Sequence, residues 1–115
     1  MKKSLVVASL VLSAVAQAHM FESGTKIKCY DSVSDYTYLL KVIGDVDANI
    51  KVSRNGKLLN EFINADFNYG FEDTRFTALS NGNEEFQVVF PKHDLSQAYY
   101  ADGGDSRALE CKFVR

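Results

Sequence analysis

The stretch that decides the fold is ANIKVSRNGKLLNEF, residues 48–62. Apolar and polar residues alternate on both sides of Asn55-Gly56, and this dipeptide between alternating segments is a strong signal for a β-hairpin. Register favours a three-residue turn over 54–56, which sets Val52 opposite Leu58 and gathers the apolar side chains on one face. A two-residue turn at Asn55-Gly56 is the alternative, and it shifts the pairing by one residue.

The same pattern continues outward from this hairpin in both directions. Clusters of Gly, Asn and Asp separate short segments rich in Val, Ile, Thr, Phe and Tyr, and no helical apolar stripe of useful length interrupts them. The predicted strands cover residues 25–30, 36–43, 48–53, 58–62, 67–72, 75–79, 85–90, 98–101 and 107–114. Strands joined by short turns form an antiparallel meander. The sequence therefore predicts an all-β domain of eight or nine strands, a closed or nearly closed β-barrel, with a β-sandwich as the alternative.

The N-terminus has the three parts of a secretory signal peptide. Lys2 and Lys3 precede an apolar run, residues 5–16, and Ala16-Gln17-Ala18 supplies small residues for a cleavage site. The run is about a dozen residues, whereas a membrane-spanning helix needs roughly 20. We expect residues 1–18 to be removed and residues 19–115 to form a single β-domain, periplasmic or secreted, with no membrane span after processing.

The charge balance limits the class of partner. The chain has 13 Lys+Arg and 15 Asp+Glu, and removal of Lys2 and Lys3 leaves 11 against 15, a net charge of −4. The charges are interspersed along the sequence, so neither a basic arm nor a polybasic membrane anchor is predicted. Nucleic acid is not an expected partner, because its phosphates require a basic face.

Two cysteines, Cys29 and Cys111, lie in the first and last predicted strands. An even pair in a small exported domain predicts a disulfide bond, here on the inner face and tying the first strand to the last. Two free thiols with redox or metal chemistry are the alternative, although the chain has no Cys-x-x-Cys motif.

Cleavage after Ala18 would make His19 the first residue, and the only other histidine is His93. An N-terminal α-amine and two imidazoles form the ligand set of a copper-binding histidine brace. Over residues 16–19 the sequence resembles the periplasmic copper-resistance β-sandwich proteins and the copper polysaccharide monooxygenases, whose mature chains also begin with His. The resemblance implies copper bound by a processed His19, and His93 is the candidate second ligand because it is the other histidine of the chain. The alternative is a histidine in a frayed terminus, and otherwise no cofactor is predicted.

Aromatic residues at alternating positions could line a ligand site. Those singled out are Tyr36, Tyr38, Phe67, Tyr69 and Phe71. Aromatic side chains on a sheet face stack on ligands or line a cavity, while ordinary core packing is the alternative.

The pattern as a whole favours a non-enzymatic protein. The chain has no Gly-x-Ser-x-Gly elbow, and both cysteines are assigned to the bridge, so no catalytic residue is predicted. The format of signal, short β-domain and disulfide resembles that of the small periplasmic lysozyme inhibitors. We expect a monomeric binding or interaction protein of the cell envelope, ligand-holding or inhibitor-like, whose partner is a small ligand or a protein. The first alternative is a periplasmic copper protein using His19 and His93, and a second is a small hydrolase that uses carboxylates from different strands.

Overall fold

The computed structural model describes residues 21–114. They form nine strands: β1 (Lys26–Asp31), β2 (Tyr36–Val42), β3 (Asp47–Arg54), β4 (Lys57–Tyr69), β5 (Asp73–Ser80), β6 (Asn83–Pro91), β7 (Tyr99–Asp102), β8 (Asp105–Ala108) and β9 (Glu110–Val114). One turn of 3-10 helix, Leu95–Gln97, lies between β6 and β7. The predicted all-β architecture is confirmed.

The sheet follows chain order in the antiparallel sequence β8-β7-β6-β5-β4-β3-β2-β1-β9. The two outer strands, β8 and β9, are consecutive in the chain and are separated only by Leu109. Residues 105–114 therefore run from one edge of the sheet, paired with β7, to the other edge, paired with β1. This segment, which we call the seam, makes the sheet a nearly closed barrel, as predicted, rather than a sandwich.

Two strand assignments differ from the prediction. The segment predicted at 58–62 and residues 67–69 of the next predicted segment belong to one long strand, β4, which continues through Asn64 at a positive φ of 67°. The register between β3 and β4 shifts there, so a β-bulge carries the strand through its bend without ending it. Residues 70–72, predicted as strand, lie in the turn after β4. Conversely, the segment predicted at 107–114 is divided at Leu109, whose N–H bonds to the carbonyl of Ala98.

The turn at Asn55-Gly56 also corrects the sequence prediction. Asn55 and Gly56 both have positive φ, 51° and 79°, and Arg54 pairs with Lys57. The turn is thus the two-residue form, because Asn-Gly readily adopts two consecutive positive φ angles. The three-residue turn was wrong.

A β-bulge beside that turn restores the apolar face. The register shifts between Val52 and Ser53, which leaves Leu59 without a partner and sets Ile50 opposite Phe62. Ile50 and Phe62 are both buried, while Leu58, predicted to face inward, is exposed. The prediction of which β3 side chains face inward was therefore right, whereas the prediction of the β4 residues opposite them was wrong.

Apolar residues alternate with polar residues along the strands, so apolar side chains occupy the interior of the barrel. Inward residues from the strands and from Phe21 form one buried cluster, which includes Ile27, Tyr38, Leu40, Ile50, Phe62, Phe67, Phe76, Val88 and Phe90. Because removal of apolar area from water is the main favourable term in folding, this cluster is what stabilises the barrel.

Two cross-links hold the seam against the first strand. Cys29 and Cys111 lie directly opposite each other on β1 and β9 and form the predicted disulfide. Near the other end of the seam, the fully buried Asp31 carboxylate accepts a hydrogen bond from Arg107 Nε at 2.7 Å. Burial raises the pKa of Asp31, but the hydrogen bonds from Arg107 and Val33 outweigh it and hold that pKa below its usual range.

Candidate functional site

The five aromatic residues singled out in the sequence do not share one surface. Tyr38 and Phe67 are buried in the core, and half-buried Tyr36 packs edge-on against Tyr38 at 6.4 Å. Tyr69 is 46% exposed and Phe71 is fully exposed. Phe71 is separated from Phe67 and Tyr69 because β4 ends at Tyr69. The alternation along that strand therefore does not extend to Phe71. The ligand-binding role of these five residues stays a prediction.

Tyr69 belongs to a group of rings at one end of the barrel. Phe21 is buried there, with ring centroids 5.9 Å from Tyr69, 5.5 Å from Phe90 and 6.4 Å from Phe113. We call this end, with Phe21, Tyr69, Phe71, His93 and Phe113, the aromatic end. The copper alternative requires Phe21 to pack against the barrel, and Phe21 is buried, although a single apolar residue before the first strand carries no periodic signal in the sequence.

His93 is held at the aromatic end by two contacts. Its ring stacks on Tyr69 with centroids 4.1 Å apart and planes 11° apart. Its Nδ1 lies 2.7 Å from Oγ1 of the buried Thr74, within hydrogen-bonding distance. His19, the other predicted copper ligand, lies outside the described residues. Within residues 21–114 no group of three His, Cys, Asp or Glu side chains could hold a metal ion.

Phe71 is displayed by an ordered turn. Gly70 N–H bonds to Asp73 carbonyl at 2.8 Å, and Lys92 N–H bonds to Glu72 carbonyl at 2.8 Å, so both flanks of the turn are fixed. The ring stands beside an open cleft of about 570 Å³. Further exposed apolar side chains near this end of the barrel are Ile43, Val46 and Phe113.

Acidic side chains surround the aromatic end on the side of β3, β4 and β5. Asp45 and Glu72 are exposed in the two turns there, and Asp47 lies directly opposite Asp66. Negative charge beside an exposed apolar patch complements a positively charged partner.

A second surface lies on the outer face of β9, β1, β2 and β3. Register sets Lys28 opposite Lys112 and Lys26 opposite Lys41, and Lys51 follows in the same cross-strand row as Lys28. These five lysines, which we call the lysine face, are all exposed. The outward phase of Lys26 and Lys28 was readable in the sequence, but their neighbours on the other strands were not.

The lysine face includes one directly opposed pair of unlike charges, Lys51 and Glu61 on β3 and β4. None of its five ammonium groups has an ion-pair partner within the part of the chain that the structure describes. Two shallow depressions indent it, one bordered by Lys28, Lys112 and Glu110, the other by Lys26, Lys41, Lys51 and Glu61.

Comparison with known proteins gives no family model, no curated protein and no solved structure that matches the chain. No helix between residues 21 and 114 is long and apolar enough to cross a membrane. Proposals about function therefore start from the two surfaces.

Proposed function

We propose that this chain is a non-enzymatic binding protein of the cell envelope that engages a basic partner protein through its aromatic end, as an inhibitor does. The observation that carries the proposal is Phe71, a fully exposed phenylalanine held outward by an ordered turn. Export by residues 1–18 would place the domain, as a monomer, in the periplasm or outside the cell. The Cys29–Cys111 disulfide is compatible with such an oxidising compartment.

Phe71 supports a protein partner on energetic grounds. Burial of a phenylalanine side chain is worth roughly 1.5–3 kcal/mol, and aromatic residues are enriched at the centres of protein interfaces. A preordered turn adds to the affinity, because little conformational entropy is lost when the ring enters a pocket of the partner.

The balance of charge at the aromatic end supports a basic partner, because its acidic residues outnumber Lys92, the lysine that lines the cleft beside Phe71. Asp45, Asp47, Asp66 and Glu72 would face the rim of the interface, where charge complementarity steers association and excludes wrong partners. The net charge of −4 after removal of residues 1–18 acts in the same direction.

The test uses a basic lysozyme as the first probe and other basic secreted hydrolases as the rest of a panel, with calorimetry as the readout. We expect binding to at least one basic protein, and a loss of about 10-fold or more in affinity for Phe71→Ala. Leu58→Ala is the matched control, because Leu58 is also an exposed apolar residue but lies at the opposite end of the barrel. No binding across the panel, or equal losses for both variants, would overturn the proposal.

The position of Phe21 favours a second candidate function, copper binding. The rings of Phe21 and His93 both contact Tyr69, so the chain enters the described domain near His93, two residues after His19. The contact of Nδ1 with Thr74 leaves His93 Nε2 available as a ligand. The α-amine and imidazole of a processed His19 would complete the set, and imidazole nitrogens suit copper.

Copper titration of the processed protein, followed by electron paramagnetic resonance, tests this candidate. Intact-mass measurement first establishes whether the exported chain begins at His19. A nitrogen-ligated Cu(II) signal that is lost in His93→Ala is the expected result. Unchanged copper affinity in that variant would eliminate the brace.

A further inference from the structure

We propose that the lysine face binds an acidic polysaccharide, and that this second site acts independently of the aromatic end. The two surfaces lie on different parts of the barrel, one on the outer wall of β9, β1, β2 and β3 and the other at the rim. Each can therefore be removed by substitution without altering the other.

The lysine face is a compact, two-row array. One row across the sheet reads Lys112, Lys28, Leu39, Lys51, and the next reads Val114, Lys26, Lys41, Asn49. Directly opposed Cβ atoms on antiparallel strands are about 5 Å apart, and rows two residues apart are separated by about 7 Å. Four strands span about 14 Å, so five positive charges face one patch the width of a short oligosaccharide chain.

The array carries an energetic cost in the free protein. Like charges directly opposite each other on neighbouring strands are destabilising, and Lys28–Lys112 and Lys26–Lys41 are two such pairs side by side. The domain nevertheless has more acidic than basic residues, and five of its seven lysines within residues 21–114 lie here. A polyanion that bridges the pairs converts this repulsion into attraction.

The polar groups within the face favour a sugar chain over other anions. Each depression combines lysines with one carboxylate, Glu110 or Glu61, which can accept hydrogen bonds from the hydroxyl groups that every unit of a sugar chain carries. Thr37 and Asn49 add further hydrogen-bonding groups.

A lipid surface and a nucleic acid fit less well. The aliphatic side chains among the lysines, Leu39 and Val114, are half-buried. The Tyr30 ring beside Lys28 is held by a hydrogen bond from its hydroxyl to Asp35, so the face offers little to insert into a bilayer. Nucleic-acid binding requires a broadly basic domain, whereas this one is acidic outside the patch.

The experiment measures binding of the processed protein to fluorescently labelled oligogalacturonate, with neutral dextran of matched length as the comparison. We expect binding to oligogalacturonate alone, with an affinity that falls as salt rises, because counterions are released when lysines meet a polyanion. Lys28→Gln with Lys112→Gln should weaken it about 10-fold or more.

Arg54→Gln with Lys57→Gln is the matched control. This pair is also a directly opposed cross-strand pair of cations, but it lies at the tip of the β3–β4 hairpin, outside the array. The control should bind within about twofold of the parent. Equal losses of affinity in both double variants would show that binding depends on net charge alone, and this result would overturn the site.

Two further probes test the identity of the partner. Vesicles containing phosphatidylglycerol and single-stranded oligothymidylate are titrated under the same conditions. Tighter binding to either one than to oligogalacturonate would overturn the polysaccharide assignment. Phe71→Ala should leave oligogalacturonate binding unchanged, so failure of the aromatic-end proposal and failure of this one give different patterns.

Discussion

Arg107 and Asp31 are 76 residues apart in the chain, and their side chains meet across the seam at 2.7 Å. Asp31 ends β1, and its other oxygen accepts hydrogen bonds from the N–H groups of Val33 and Ser34 in the following turn. Arg107 also lies over the Tyr100 ring at 4.2 Å and pairs with Asp105. One ion pair thus fixes both the first turn of the barrel and the strand that closes it.

Removal of the buried partner should be costly. Asp31→Ala leaves Arg107 with only the exposed Asp105 as an ion-pair partner and removes the oxygen that accepts from the N–H groups of Val33 and Ser34, a change we expect to cost about 3 kcal/mol. Chemical denaturation monitored by circular dichroism measures the loss. Asp45→Ala, at an exposed turn position, is the control and should change stability by less than about 0.5 kcal/mol. Equal effects for the two variants would contradict a structural role for the ion pair.

The same carboxylate predicts how stability depends on pH. The pKa of Asp31 is lower in the folded state than its unfolded value of about 3.9, so its contribution is present above that value and is lost as the pH falls through the folded pKa. Unfolding free energy should therefore drop on acidification below about pH 4. In Asp31→Asn the unfolding free energy should fall less steeply with decreasing pH. An unchanged pH dependence would show that other titratable groups cause the loss of stability.

Reduction of the disulfide should destabilise the barrel. Cys29 and Cys111 are separated by 82 positions, and closure of a loop of that length is worth roughly 4–5 kcal/mol on the chain-entropy model. We expect the Cys29→Ser, Cys111→Ser double variant to melt well below the parent. Non-reducing peptide mapping confirms the pairing, and a parent whose melting is insensitive to reductant would refute this contribution.

The Asn55-Gly56 turn offers a test of backbone conformation alone. Gly56 has a φ of 79°, whereas Gly44 has no left-handed φ, and a Cβ at either position would meet no atom within 4 Å. Gly56→Ala should cost about 1 kcal/mol or more, and Gly44→Ala should be neutral or slightly stabilising. Thermal melting of the two variants measures the difference. Similar shifts in melting temperature would show that the positive φ of Gly56 is not the cause of the destabilisation.

Relief of repulsion on the lysine face should stabilise the free protein. Lys112→Gln removes a cation opposite Lys28, and such pairs are worth about 0.2–1 kcal/mol. The melting temperature of this variant should exceed that of the parent at low salt, and the difference should shrink as salt rises. A lower melting temperature at low salt would show that Lys112 has a stabilising contact.

Alternation predicted the strands well because an inward phase is a local property. Ile27, Ile50 and Val52 could each be assigned to the core from their immediate neighbours. The disulfide followed from an even cysteine count at inward positions. What alternation could not predict is the exact pairing, since the bulges at Leu59 and Asn64 change the register without changing the composition of either strand.

The candidate sites depend on that pairing and were therefore less predictable. Lys28 and Lys112 become neighbours only when β9 pairs with β1, so interspersed charges in the sequence become one patch in the fold. Phe71 was identified as an aromatic residue of interest, but its complete exposure results from the end of β4 two residues earlier.

The place of the seam in chain order has a consequence for how such a domain would be delivered. Residues 105–114 complete the barrel, yet they come after every other strand of the sheet. A polypeptide threaded through a translocation pore with its N-terminus leading presents β1 first and the seam last. Until the seam arrives, β1 and β7 each keep an unpaired edge, and an unclosed sheet is both open to further pairing and slow to fold. If the chain is exported as proposed, closure of the barrel waits until the seam has emerged, and until then these two edges are the surfaces that a holding chaperone would cover.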